Sequence, residues 1–209
     1  MKISDILKLM DSTGIGAGVE EELFLTYLNQ AHYELYNYTA ALNEDLILNE
    51  ELQTQVNNNE VNIANKFTCI NSIYVDEFIT PLKQLTLSKF IDYKKRNGVG
   101  HPSVFNARGT TISIYPIVQD TQYDLDVWYV PQPTTLTSAT LESDIPYPLS
   151  FHNILSDGAL YYMFQSEGGF KNSEKSRDHM AKWEKGKALL YSYLFHNTGE
   201  VVSTHSNAL

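Results

Sequence analysis

Gly14, Gly16 and Gly18 form a glycine-rich stretch of the kind that wraps phosphate in nucleotide-binding proteins. Such a loop follows a strand and leads to a lysine, or to a helix N-terminus aimed at the anion. Here a helical pattern precedes the glycines, no Gly-Lys-Ser/Thr follows, and Glu20, Glu21 and Glu22 would repel a phosphate. The stretch reads as a linker. Six histidines, His32, His101, His152, His179, His196 and His205, are scattered without a His-x-His or a spacing of four around a glutamate, so no metal site is assigned. The single cysteine, Cys69, excludes an internal disulfide and a multi-cysteine zinc site, and reads as a small strand hydrophobe. No serine stands in a Gly-x-Ser-x-Gly elbow. The acidic pairs Glu44-Asp45, Glu50-Glu51, Asp76-Glu77 and Glu142/Asp144 read as solvated faces and caps. Catalytic, cofactor and metal residues are therefore expected to be absent. Lys94-Lys95-Arg96 is the dense basic run, placed where positive charge favours a helix C-terminus. It also offers an electrostatic contact to an acidic neighbour or to another copy of the chain.

The elements that must position these residues are legible from periodicity. Ser4 caps a short helix carrying Ile3, Ile6, Leu7 and Met10. A longer helix is predicted over 19–42, with Leu23, Tyr27, Ala31, Glu34/Leu35 and Tyr38 as its stripe, widened by Leu28, His32 and Leu35. Residues 46–52 extend it or add a turn. From Glu60 the period drops to two, at 61–64, 70–75, 104–107, 110–115 and 123–130, which predicts half-buried strands. A short helix with Leu87, Phe90, Ile91 and Tyr93 as its apolar positions interrupts them. Pro146 and Pro148 then hand over to two helices, at 154–164 and 173–195, the second with the stripe Met180, Trp183, Lys187, Leu190, Tyr191 and Leu194. Gly158-Ala159 permits close helix approach. The expected fold is α+β. Residues 1–56 and 144–197 build one helical bundle, 57–143 a small antiparallel β-rich insert, and 198–209 a flexible arm without periodicity.

Bulk properties narrow the function. The chain has 209 residues, 43% of them apolar, enough for a substantial core. No run approaches the roughly 18–20 apolar residues of a membrane span, and no secretory signal is read at Met1 to Leu7, which points to cytoplasmic synthesis. A net charge of −10 argues against gripping nucleic acid by its phosphates. It suits a soluble protein, or a surface past which DNA slides without sticking, a reading that needs independent support. Fourteen tyrosines and nine phenylalanines are a generous supply for subunit contacts or for a mixed core.

Read in order, these segments resemble the head-to-tail adaptor (head-completion, connector) proteins of tailed bacteriophages. The likeness runs through the Ile6-Leu7 opening helix, the long second helix, the strand around Ile73-Tyr74-Val75, the Thr80-Pro81-Leu82 return and the helix over 85–97. It continues with Gly100-His101-Pro102-Ser103-Val104-Phe105, with Ile112-Ser113-Ile114-Tyr115-Pro116 and with Leu125-Asp126-Val127-Trp128-Tyr129. Asp144-Ile145-Pro146-Tyr147-Pro148-Leu149-Ser150-Phe151-His152, running on to Gly158-Ala159-Leu160, resembles the family's Pro-x-x-aromatic-His helix opening. Together these cover about residues 1–197.

The resemblance implies a non-enzymatic ring, typically of twelve copies, docked on the portal and continuing the DNA channel toward a following tail or neck ring. It would sit in the virion neck, after assembly in the host cytoplasm, with no cofactor and no membrane contact. The family's C-terminal arms reach neighbouring rings, so Val201, Val202 and Leu209 join Lys94, Lys95 and Arg96 as partner-interface residues. Two alternatives stay open. One is another neck or tail component, a stopper or tail terminator, which would be β-dominated. The other is a sugar-binding or hydrolase accessory whose cleft is lined by Tyr115, Trp128 and Tyr129.

Overall fold

A computed structural model describes residues 21–75, 80–96, 98–116, 122–166 and 171–197. The expected first helix, the Gly14-Gly16-Gly18 linker and the arm over 198–209 lie outside the described residues. The protein is α+β, with four helices and two small sheets among the described residues. In chain order these are α1 (Glu21–Thr39), β1 (Leu48–Gln53), β2 (Glu60–Asn62), β3 (Phe67–Val75), β4 (Lys83–Gln84), α2 (Leu87–Arg96), β5 (Val104–Arg108), β6 (Thr111–Tyr115), β7 (Asp124–Pro131), α3 (His152–Gln165) and α4 (Ser173–Asn197). The described residues divide into two compact units, one holding 21–45 and 133–197, the other Leu46–Gln132.

In the first unit α1, α3 and α4 pack around one apolar core. Glu21 and Glu22 favour the positive end of the α1 dipole. Its buried face is Phe24, Leu28, Ala31, His32, Leu35, Tyr36 and Thr39, a stripe rotated from the expected one, since Tyr38 is exposed. α3 is the central helix, burying residues on several sides, among them Ile154, Leu155, Ala159, Leu160, Met163 and Phe164. Gly158 lets α1 and α4 approach it: a Cβ there would stand 2.8 Å from both the Ala31 Cβ and the Trp183 ring. Gly186 plays the same part against Ile154, whose nearest atom would lie 2.7 Å away. Each fully buried side chain such as Leu35, Met163 or Leu190 adds about 1.5–3 kcal/mol. The segment after Pro133 is clamped onto α1 by Asn29, which donates to the Leu136 carbonyl at 2.9 Å and accepts from its N–H at 2.7 Å. Asn43 donates to the Pro146 carbonyl at 2.9 Å.

The second unit is a two-sheet sandwich with a helix on one side. One sheet has the order β1-β7-β3, all antiparallel, and the other β2-β6-β5-β4, in which β4 runs parallel to β5. The helical extension expected over 46–52 is instead β1, an edge strand whose polar residues alternate without a strong apolar period. Leu125, Val127 and Tyr129 from one sheet meet Val61, Phe105, Ile112 and Ile114 from the other in a shared core. Pleating sends Val104 and Tyr115, which face each other across β5 and β6, to the opposite side of that sheet, where they pack on Phe90 of α2. The β5–β6 turn contains Gly109 at φ +65°, a conformation glycine adopts without penalty. The unit therefore layers as α2, sheet, core, sheet.

Candidate functional site

In the helical unit the most concentrated polar chemistry surrounds Lys187. Its residue is only 8% exposed, yet its ammonium lies 2.7 Å from Glu34 Oε1 and 2.7 Å from Glu184 Oε1. The charge sits 5.2 Å from the Trp183 ring and 5.6 Å from the Tyr38 ring, and Tyr162 donates its hydroxyl to Glu34. Burial alone raises the Glu34 carboxyl, but hydrogen bonds from Lys187 and Tyr162 outweigh it and hold it below its ordinary range. Burial alone lowers Lys187, and the two carboxylates more than reverse that, so its pKa is raised. A lysine kept charged is not a nucleophile. The cluster is a lock joining α1, α3 and α4. Its sequence signal was a lysine on an apolar helix stripe, while its partner Glu34 lies 153 positions away.

Lys94, Lys95 and Arg96 form the last turn of α2 and are exposed. The Lys94 ammonium stands 5.9 Å from the Phe90 and Tyr115 ring centroids, a geometry of cation–π attraction. Tyr115 donates its hydroxyl to the Lys94 carbonyl at 3.3 Å, and Lys95 lies 3.7 Å from Asp92. Of the helix's expected apolar positions only Phe90 is buried. Leu87 and Ile91 are 51% and 45% exposed and share a face with Lys94 and Lys95. Val201, Val202 and Leu209, the remaining interface residues, lie outside the described residues.

α4 shows the same departure on both flanks of its buried stripe Trp183, Lys187, Leu190 and Leu194. Met180, Tyr191 and Phe195 are exposed along one flank, and Leu189 and Tyr193 along the other. Tyr191 rests on Tyr38, their ring centroids 5.5 Å apart, and Tyr193 on Phe151 at 5.3 Å.

The aromatic cleft expected of a sugar-binding protein does not assemble. Tyr115 is buried against α2 and Tyr129 is buried in the sandwich core at 2% exposure, while Trp128 faces outward at 39%. Among the described residues no three His, Cys, Asp or Glu side chains gather as a metal would require, and none of the helices is long and apolar enough to cross a membrane. His179 is tied to Asp157 at 2.9 Å and stacks on Phe164, which joins α4 to α3. His32 is enclosed by Tyr33, Tyr36 and Tyr147. Burial pushes the Cys69 thiol up, away from reactivity.

No curated protein matches this chain. The family model described as SU10 adaptor protein matches residues 2–201, nearly the whole length, and among the described residues the order of elements from the long second helix on agrees with the resemblance read from the residues. The chain belongs to the SU10 adaptor protein family, a family of phage head-to-tail adaptors.

Proposed function

We propose that this protein is a structural, non-enzymatic component of the virion neck that closes into a ring, typically of twelve copies, docks on the portal and continues the DNA channel toward the tail. Family membership supports the reading at the level of a phage structural adaptor. The observation that carries the finer statement is the pair of apolar flanks on α4. Leu189, at 55% exposure, and Tyr193 point one way, and Met180, Tyr191 and Phe195 another. Large apolar side chains left open along a helix belong to surfaces that a partner covers, and two flanks on one helix suit a subunit with a neighbour on each side. A heterologous contact of that kind closes into a ring when the rotation per copy divides a full turn.

Lys94, Lys95, Arg96, Val201, Val202 and Leu209 serve as further contacts with neighbouring copies or rings. An excess of ten negative charges suits a channel that passes DNA without sequence-specific binding. Assembly takes place in the host cytoplasm, without a cofactor and without a membrane. Incubating the purified chain with portal rings and imaging by negative stain tests the reading: added ring density below the portal supports it, and unaltered portal rings refute it.

A further inference from the structure

The second unit carries opposite charge on its two opposite outer faces. On one side, α2 holds Lys89, Lys94, Lys95 and Arg96 against a single acid, Asp92. Leu87 and Ile91 stand exposed beside them. Cation–π contact with Phe90 and Tyr115 holds the Lys94 stem, so this face is partly ordered before any partner arrives.

On the other side lies the outer face of the β1-β7-β3 sheet. Leu125, Val127 and Tyr129 turn into the core, so alternation turns Asp124, Asp126 and Trp128 outward. Register places Glu51 directly opposite Asp126 and Gln53 opposite Asp124. Like charges facing each other across a strand pair repel and weaken the pairing. Among the described residues no lysine or arginine forms an ion pair with Glu51, Asp124 or Asp126. Trp128, paired with Asn49 and Ser72, supplies an exposed aromatic surface on the same face.

A basic face with two open aliphatic side chains thus backs onto an acidic face with an open tryptophan, the core of one rigid sandwich between them. We infer that the two faces are the halves of one contact: α2 of one copy, through Leu87, Ile91, Lys94 and Lys95, docks on Glu51, Asp124, Asp126 and Trp128 of the next. The occupant of each face is a second copy of this chain. Charge complementarity within a single unit argues for it, because faces that match and lie on opposite sides repeat head to tail. Such a contact relieves the Glu51–Asp126 repulsion only on assembly, which couples sheet stability to ring closure. The inference rests on the ring reading above and specifies where copies meet.

The test uses the full chain with portal rings. Lys94→Glu with Lys95→Glu reverses one face, and Glu51→Lys with Asp126→Lys the other; all four side chains reach solvent, so circular dichroism should match wild type. The expected result is a tenfold or greater loss of portal-bound ring density for either reversed chain, and recovery when the two reversed chains are mixed in equal amounts, because copies that alternate then match in charge at both contacts of every subunit. Raising the salt concentration should weaken wild-type assembly, since exposed pairs are screened. If either reversed chain assembles on the portal as wild type does, this contact is wrong while the ring reading survives. If wild type itself adds no ring, both fall.

Discussion

A lysine buried against a tryptophan holds its charge only if carboxylates meet it, and Glu34 and Glu184 do so at Lys187. Lys187→Met keeps the aliphatic stem on Trp183 and Tyr38 but removes both ion pairs. Both carboxylates remain partly open to water, so the expected loss is modest, about 1–2 kcal/mol in urea unfolding. The pH dependence follows from the directions of the shifts. Glu34 is held low, so its contribution is present above the ordinary carboxylate range and lost as pH falls through its folded value. Lys187 is held high, so its contribution is present below its ordinary pKa and lost as pH rises through the folded one. His32 sharpens the acid side. Burial lowers it from 6.5 to about 4, so the stability it contributes is full above 6.5 and drains away as pH drops toward 4. The fall amounts to about 3 kcal/mol at 1.36 kcal/mol per pKa unit. Urea midpoints between about pH 4 and pH 7 should show that slope in wild type and lose it in His32→Leu. An unchanged slope would mean that His32 is not the group titrating.

The helices pack at glycine-sized distances, and those distances set what α3 tolerates. Gly158→Ala would gain about 1 kcal/mol of helix propensity, yet its methyl would strike the Ala31 Cβ and the Trp183 ring. Overpacking wins, for a net loss of about 1–2 kcal/mol. Gly98→Ala meets nothing within 4 Å and should leave the midpoint unmoved, which makes it the control. Much of this level was legible in the residues. The alternation in Thr111–Tyr115 and Asp124–Pro131 marked two strands, and Gly158-Ala159 marked a close helix contact. β1 was not legible, because Asn49, Glu50, Glu51 and Gln53 erase the apolar period of an edge strand stabilised by pairing with β7. The α1 stripe was misplaced by counting Tyr27 and Tyr38 as core, when tyrosine's amphipathic ring lies as readily at a boundary. On α2 the pattern marked Leu87 and Ile91 as buried, but it is Phe90, with the half-buried Tyr93 beside it, that turns toward the sheet. Those two exposed side chains belong to the docking face, so the departure from pattern and the inferred contact coincide at the same residues.

For the molecule as a whole, the order of elements carried more than any motif did. No catalytic spacing occurs, and the family match spans residues 2–201 rather than a local signature. An adaptor does its work through surfaces, and surfaces leave a faint trace in one sequence: apolar residues on faces that the chain's own core does not claim. Leu189→Glu alters such a face without touching Trp183, Leu190 or the Tyr193–Phe151 pair, so it should leave the unfolding free energy within about 0.5 kcal/mol of wild type. The same change should reduce assembly on the portal at least tenfold, scored by counting ringed particles in micrographs. The measurement that bears most directly on the central claim is the structure of the portal with this chain bound, imaged as single particles. The account predicts a coaxial collar of subunits below the portal, each touching two neighbours. Portal particles without a collar, or one decorated by isolated and unconnected copies, would contradict it.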